Sequence, residues 1–375
     1  MFKVLAVLLM ASGIAAAATT VEPYGFVKLD SSWDDSRMST GNYARWVEAE
    51  DTNKNDSEFN MTANHSRLGL RITGQDFGGM KTRGLIEGDF YGGGAENKSN
   101  PMMRHAWAEV SWPAWDFAVL GGQTSDINGP LDPPVLDPNV LRSAGNIGYR
   151  HPQVRLTKGF KIGDSRVDFA VAAVRDVVAS STWFTGDSGA DAGYPFGASR
   201  LGVFVPGWTR QPVVVGISGS LGVEEWDTSK AGNPKYVRSW TGVVDLSLPL
   251  LDALVLKGEG WMGENVANFG AAMLQGISFS NWEPIRAKGG WLALAAGPYK
   301  FWKFSAGTGV DRINDEDIHA SIDKKRNQSV FGTASYDITP ASMVALELYS
   351  FVTEYRSSDK NAEAFRAAVS FIHRF

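Results

Sequence analysis

Apolar and polar residues alternate with period two through almost the whole chain, and helical periodicity is scarce. In "RLGLRI", Leu68, Leu70 and Ile72 share one face and Arg67, Gly69 and Arg71 the other. "RVDFAVAAV" sets Val167, Phe169, Val171 and Ala173 against Arg166 and Asp168. "RLGVFV" sets Leu201, Val203 and Val205 against Arg200, and "MVALELYS" sets Val344, Leu346 and Leu348 against Glu347. Successive strand side chains point to opposite faces, so each run reads as a strand between two different solvents.

The gaps between runs sharpen this. Short gaps carry tight-turn residues, as in "TGQDFGGM" (73–80), "SWPAW" (111–115), "PGWTRQP" (206–212) and "ITPAS" (338–342). Long, polar gaps at 35–62, 92–101, 126–145, 178–197, 227–235, 266–282, 312–327 and 356–362 alternate with them. This is the rhythm of an antiparallel transmembrane β-barrel with short periplasmic turns and long external loops. The runs number about sixteen, and a strand of roughly ten residues tilted about 45° covers ~25 Å of apolar height. Hydrocarbon demands that every backbone group be paired internally, so the last run, 363–375, must pair with the first, 24–34. Tyr24, Trp33, Trp112, Trp115, Trp208, Trp226, Trp282 and Tyr299 sit beside gaps, where aromatic girdles are expected.

Residues 1–18 stand outside the pattern. Lys3, an apolar run from Val4 to Met10 and the small residues Ala16–Ala18 have the layout of a cleaved signal peptide, leaving 19–375 as one barrel domain. The run is too short to span a bilayer as a helix. The expected destination is a bacterial outer membrane. The chain has no cysteine, and its net charge of −5 comes without a basic stripe, which argues against nucleic acid as partner.

A barrel this wide leaves an aqueous lumen. Residues of lumen parity include Arg67, Arg71, Arg83, Arg155, Arg166, Arg200 and Arg366, interspersed with Asp30, Glu87, Asp89, Glu109, Asp168 and Glu347. Arginines around a constriction concentrate anions and slow cations. The segment "DINGPLDPPVLDPNVLRSAGN" (126–146) holds Pro130, Pro133, Pro134 and Pro138 among leucines and valines. Proline stiffens it, and its apolar side chains disfavour water, so it is expected to fold inward as a constriction. Asp126, Asp132 and Asp137 would then face the basic wall. A lid over the rim or a subunit contact is the other reading of this segment.

Enzymatic readings find little support. His65, His105, His151, His319 and His373 show no metal-binding spacing, and "GISGS" (216–220) lies in mid-strand without the turn-to-helix context of a nucleophile elbow. No catalytic residue, metal or cofactor is expected. A sugar channel would need an aromatic slide, for which Trp107 and Trp291 have lumen parity. A general non-selective porin is a second alternative. An outer-membrane enzyme or an adhesion barrel is a more remote one.

At "YGFVKLD" (24–30), "SRLGLRITG" (66–74), "GLIEGDFYG" (84–92), "MRHAWAEVSW" (103–112), "LGGQTSD" (120–126) and "GNIGYRHPQVRL" (145–156), the chain resembles the DcaP-like porins of Gram-negative outer membranes. The resemblance is best over roughly residues 24–177. It implies a sixteen-stranded trimeric porin for small anionic solutes such as dicarboxylates. It implies a basic pore wall at Arg67, Arg71, Arg83, Arg104, Arg150 and Arg155, of which Arg104 and Arg150 have ambiguous parity. Members often carry a coiled-coil segment before the first strand, whereas here "VEPYGFVKL" follows the leader almost at once. Terminal Phe375 resembles the mark read by the outer-membrane assembly machinery. The expected partners are therefore that machinery, outer-membrane lipid, two further copies of the chain and small anionic solutes.

Overall fold

The computed structural model describes residues 19–50, 56–92, 99–137, 139, 141–176, 189–227, 234–319 and 323–375. The leader expected over 1–18, together with Pro138 and Val140, lies outside the described residues. The alternating runs form one closed, antiparallel sixteen-stranded barrel. Its strands are β1 (Thr20–Asp34), β2 (Glu58–Thr62 and Arg67–Thr73), β3 (Lys81–Asp89), β4 (Met102–Trp112), β5 (Phe117–Ser125) and β6 (Arg150–Ile162). They continue as β7 (Ser165–Val174), β8 (Phe196–Val205), β9 (Val213–Asp227), β10 (Pro234–Leu251) and β11 (Leu254–Glu264). The last five are β12 (Arg286–Tyr299), β13 (Trp302–Ile313), β14 (Lys324–Asp337), β15 (Ser342–Tyr355) and β16 (Ala362–Arg374). Both pieces of β2 pair with β1, so the break at 63–66 interrupts one barrel strand.

Closure runs where the alternation places it. β1 pairs with β16 from Phe26↔Arg374 to Asp34↔Arg366, and Gly25 and Phe375 exchange backbone hydrogen bonds at the end. Leu68, Leu70, Ile86, Val154, Leu156, Leu201, Ile217, Val244, Leu292, Val330, Leu346 and Val369 all point outward and are exposed. A continuous apolar band of that extent is tolerable only in lipid. Four of the candidate girdle rings, Trp33, Trp115, Trp208 and Tyr299, are exposed on this outer surface. Three are not. Tyr24 donates to Glu87 at 2.8 Å, Trp226 is buried, and Trp282 packs against Trp226.

The core lies inside the barrel. Three inward loops, within 35–50, 126–149 and 265–285, build two apolar clusters against the lumen face of the later strands. Ile127, Ile147, Phe269 and Met273 pack on Phe196, Val243, Trp261 and Ile313. Met38, Val47, Leu141 and Ala144 pack on Trp291, Phe331, Tyr349 and Phe351. Ile372, an apolar residue on the lumen parity, belongs with Met343, Ala345 and the loop residue Leu136.

One ion cluster ties the closure seam to these loops. The Arg366 guanidinium grips Asp34 with two hydrogen bonds, of 2.7 and 3.0 Å, and also reaches Asp137 at 3.3 Å and the Gly41 carbonyl. Asp34 is fully buried. Removing one partner of a buried pair strands the other charge, at a cost of about 3–5 kcal/mol. Arg366→Ala is therefore expected to lower the urea midpoint of the folded barrel markedly, read by loss of the compact, heat-modifiable band on gels. An unchanged midpoint would show that the seam does not depend on this pair.

Candidate functional site: the solute path

The loop spanning Asp126–Tyr149 crosses the lumen, held by carboxylates of the opposite wall. Glu259 on β11 accepts from the Leu131 amide at 2.7 Å. Glu347 on β15 accepts from the Leu136 and Asp137 amides at 2.8 and 3.1 Å, and Asp311 on β13 accepts from the Gly145 amide at 2.9 Å. Trp261 Nε1 donates to the Gly145 carbonyl at 2.8 Å, Ser305 Oγ to Pro134 O at 2.5 Å and Lys28 Nζ to Leu136 O at 2.7 Å. Gly145 has φ +111°, and a Cβ there would stand 2.2 Å from the Gly290 carbonyl, so the loop meets the wall at a point only glycine fits. Glu259, Asp311 and Glu347 are all nearly inaccessible. Their oxygens are spent on backbone amides, because a loop taken out of water must have its N–H groups paired.

Wall residues beneath the loops are consequently closed off. Trp291 is 4% exposed and donates to Glu259 at 3.2 Å, so it contributes no surface to an aromatic slide. Arg200 reaches Asp245 at 2.7 Å and is neutralised there.

The lumen face of β2–β6 lies outside the two apolar clusters, and here most of the candidate arginines come together. Arg67 and Arg104 share Glu87, at 3.3 and 3.0 Å, and Arg104 also holds Asp89 at 2.7 Å. The ambiguous parity of Arg104 has a physical cause. A register shift at Glu87/Gly88 makes Arg104 an extra residue, and the bulge turns both Arg104 and His105 inward. Arg150 opens β6 on the parity of outward-facing Val154, yet its guanidinium stacks over the Tyr149 ring at 4.9 Å. Arg142, from the inward loop, lies 5.9 Å from the same ring, and Arg104 and Arg142 both act electrostatically on Arg150. Arg71 stacks on Tyr24 at 3.8 Å. Arg83 pairs with Glu109 at 2.7 Å and is 63% exposed, and Arg155 bonds to Gln153 and the Ser125 carbonyl.

Four guanidiniums, of Arg67, Arg104, Arg142 and Arg150, thus meet only two carboxylates, Glu87 and Asp89. Among the described residues, Arg142, Arg150, Arg71 and Arg155 have no carboxylate within ion-pair distance. The loop aspartates do not neutralise them. Asp126 accepts from His151 at 2.8 Å and from the Tyr149 amide, Asp137 binds Arg366, and Asp132 lies toward Glu259. Pro130, Pro133 and Pro134 sit in the lumen-crossing stretch, whose Pro133 carbonyl accepts from Val135 N at 2.8 Å. Arg142 and Tyr149 were not singled out by parity, since they lie on a loop where parity has no meaning.

No family model matches the chain, and no curated protein matches it. Solved structures do. The outer membrane channel DcaP of Acinetobacter baumannii aligns over 98% of this chain and 100% of its own, with a TM-score of 0.75 at 17% identity. An anion-selective porin from Comamonas acidovorans covers 96% of this chain and 100% of its own, with a TM-score of 0.59 at 13% identity. OprB of Pseudomonas putida covers 95% and 94%, with a TM-score of 0.58 at 9% identity. At such identities the likeness establishes the fold, which is that of outer-membrane porins.

Proposed function

We propose that the chain is an outer-membrane porin, a passive diffusion channel that prefers small anionic solutes such as dicarboxylates. The observation that carries this is the surplus of guanidinium charge on the lumen face of β2–β6, outside the apolar clusters. An anion entering there exchanges water for hydrogen bonds from several arginines. The neighbouring Glu87 and Asp89 keep those contacts weak enough for release. The residues that act are Arg67, Arg71, Arg104, Arg142, Arg150 and Arg155, with Arg83 nearer the short-turn end and Arg200 held in a structural pair. The loop from Asp126 to Tyr149 narrows the path. The anion selectivity named for the Comamonas protein is consistent with this reading.

In the same reading, residues 1–18 direct export and are removed, Phe375 marks the chain for barrel assembly, and three copies assemble in the membrane. Transport needs no covalent step. A sugar channel is less well supported, because Trp291 is covered and Trp107, beside Arg83, is the lumen ring that remains from the expected slide. Liposome swelling tests the proposal. Proteoliposomes are expected to admit succinate faster than a neutral sugar of similar size. Equal rates, or faster sugar entry, would contradict it.

A further inference from the structure

The outer surface carries a feature that solute passage does not use. Near the long-loop end, Lys288 on β12 lies directly opposite Arg312 on β13, and Arg312 lies directly opposite Arg326 on β14. All three share the parity of outward-facing residues: Lys288 with Leu292, Arg312 with Phe304, and Arg326 with Val330. Like charges directly across a ladder repel, and here the repulsion spans three consecutive strands. Lys325, beside a register shift, adds a fourth cation.

The acids in reach do not balance this row. Arg312 pairs with Asp315 at 2.8 Å and Arg326 with Glu354 at 2.9 Å. Glu316 and Asp317 are taken by Arg286. Lys288 has no ion-pair partner among the described residues. Beneath the row, toward the short-turn end, the same strands present exposed Leu292, Leu294, Phe304 and Val330. A cationic row above an apolar wall is complementary to one class of molecule, a lipid whose anionic headgroup lies level with the row and whose chains run down the wall. Strands lie about 4.8 Å apart, so the row spans roughly 10 Å, enough to engage a headgroup with more than one phosphate.

We infer that Lys288, Arg312 and Arg326 form a binding site for a phosphorylated glycolipid of the outer leaflet. The inference rests on the long loops facing the outside of an outer membrane, but not on the selectivity of the pore.

The test uses the full-length folded barrel in neutral detergent and measures binding by native mass spectrometry. The probes are a bisphosphorylated, multiply acylated glucosamine disaccharide, its dephosphorylated form, and inorganic phosphate. Wild type is expected to retain the bisphosphorylated lipid in preference to the other two. The triple variant Lys288→Gln, Arg312→Gln, Arg326→Gln is expected to bind it about a hundredfold more weakly. The single variant Lys288→Gln disturbs no ion pair and is expected to weaken it by a smaller factor, which guards against a folding defect in the triple. Reversal potential and conductance should not change in either variant. Equal retention of the dephosphorylated lipid, unchanged affinity in the folded variants, or a change of oligomeric state without a change in lipid binding would overturn the inference. The last outcome would assign the row to a contact between copies of the chain. A barrel that binds the lipid but conducts no ions would refute the porin reading and leave this site standing.

Discussion

Replacing Arg142 and Arg150 together by Gln is expected to cut the anion-to-cation permeability ratio roughly fivefold while leaving the barrel folded. The estimate follows from Coulomb's law. A monovalent anion about 5 Å from each guanidinium gains ~0.8 kcal/mol per charge in water, and screening at 0.1 M salt leaves on the order of 1 kcal/mol in total. That corresponds to about fivefold in local anion concentration. These two residues are chosen because neither is held by a carboxylate, whereas Arg67 and Arg104 are partly neutralised by Glu87 and Asp89. Arg200→Gln combined with Asp245→Asn removes a neutral pair and should leave selectivity nearly unchanged. Bi-ionic permeability measurements on the two variants decide the matter. A larger effect from the Arg200/Asp245 pair than from the Arg142/Arg150 pair would place the selective charges on the wrong wall.

Glu347→Ala is expected to loosen the lumen-crossing loop. Glu347 accepts from two loop amides, of Leu136 and Asp137, and from Thr333 Oγ1 at 3.1 Å. Hydrogen bonds to a charged group contribute about 1.5–3 kcal/mol each, and a buried amide left without an acceptor adds its own desolvation cost. The apolar contacts of Leu136 with Met343, Ala345 and Ile372 would then have to hold that stretch unaided. Combined with Glu259→Ala, which frees the Leu131 amide, the loss should raise single-channel conductance and make the open current noisier. Glu347→Gln keeps an acceptor oxygen and is expected to fall between wild type and Ala. Conductance unchanged in the double variant would mean that apolar packing of Leu131, Val135 and Leu141 alone fixes the loop.

What could be read from the residues divides along a physical line. A strand between lipid and water must alternate, so the barrel, the outward residues such as Leu68 and Leu346, and the closure of β16 on β1 were legible. Proline density marked the inward loop for the same kind of local reason. The clamps were not legible. An acid on a strand looks the same whether it faces water or a backbone amide, and the amides bound by Glu347 lie 210 and 211 positions away in sequence. Parity alone left the facing of Arg104 ambiguous because a bulge breaks the rule at its own position, and it says nothing of Arg142, which sits on a loop. The girdle assignment failed at Tyr24 and Trp226 for a related reason: a ring beside a gap lies at the right height, but only its neighbours decide whether it faces lipid or lumen.

The central claim is that the lumen wall of β2–β6 carries net positive charge and makes the pore prefer anions. Its most direct test is the zero-current potential of single channels in a planar bilayer under a tenfold potassium chloride gradient. The account predicts a potential of the sign set by chloride, which shrinks toward zero in the Arg142→Gln, Arg150→Gln variant. A wild-type potential of the sign set by potassium would contradict it.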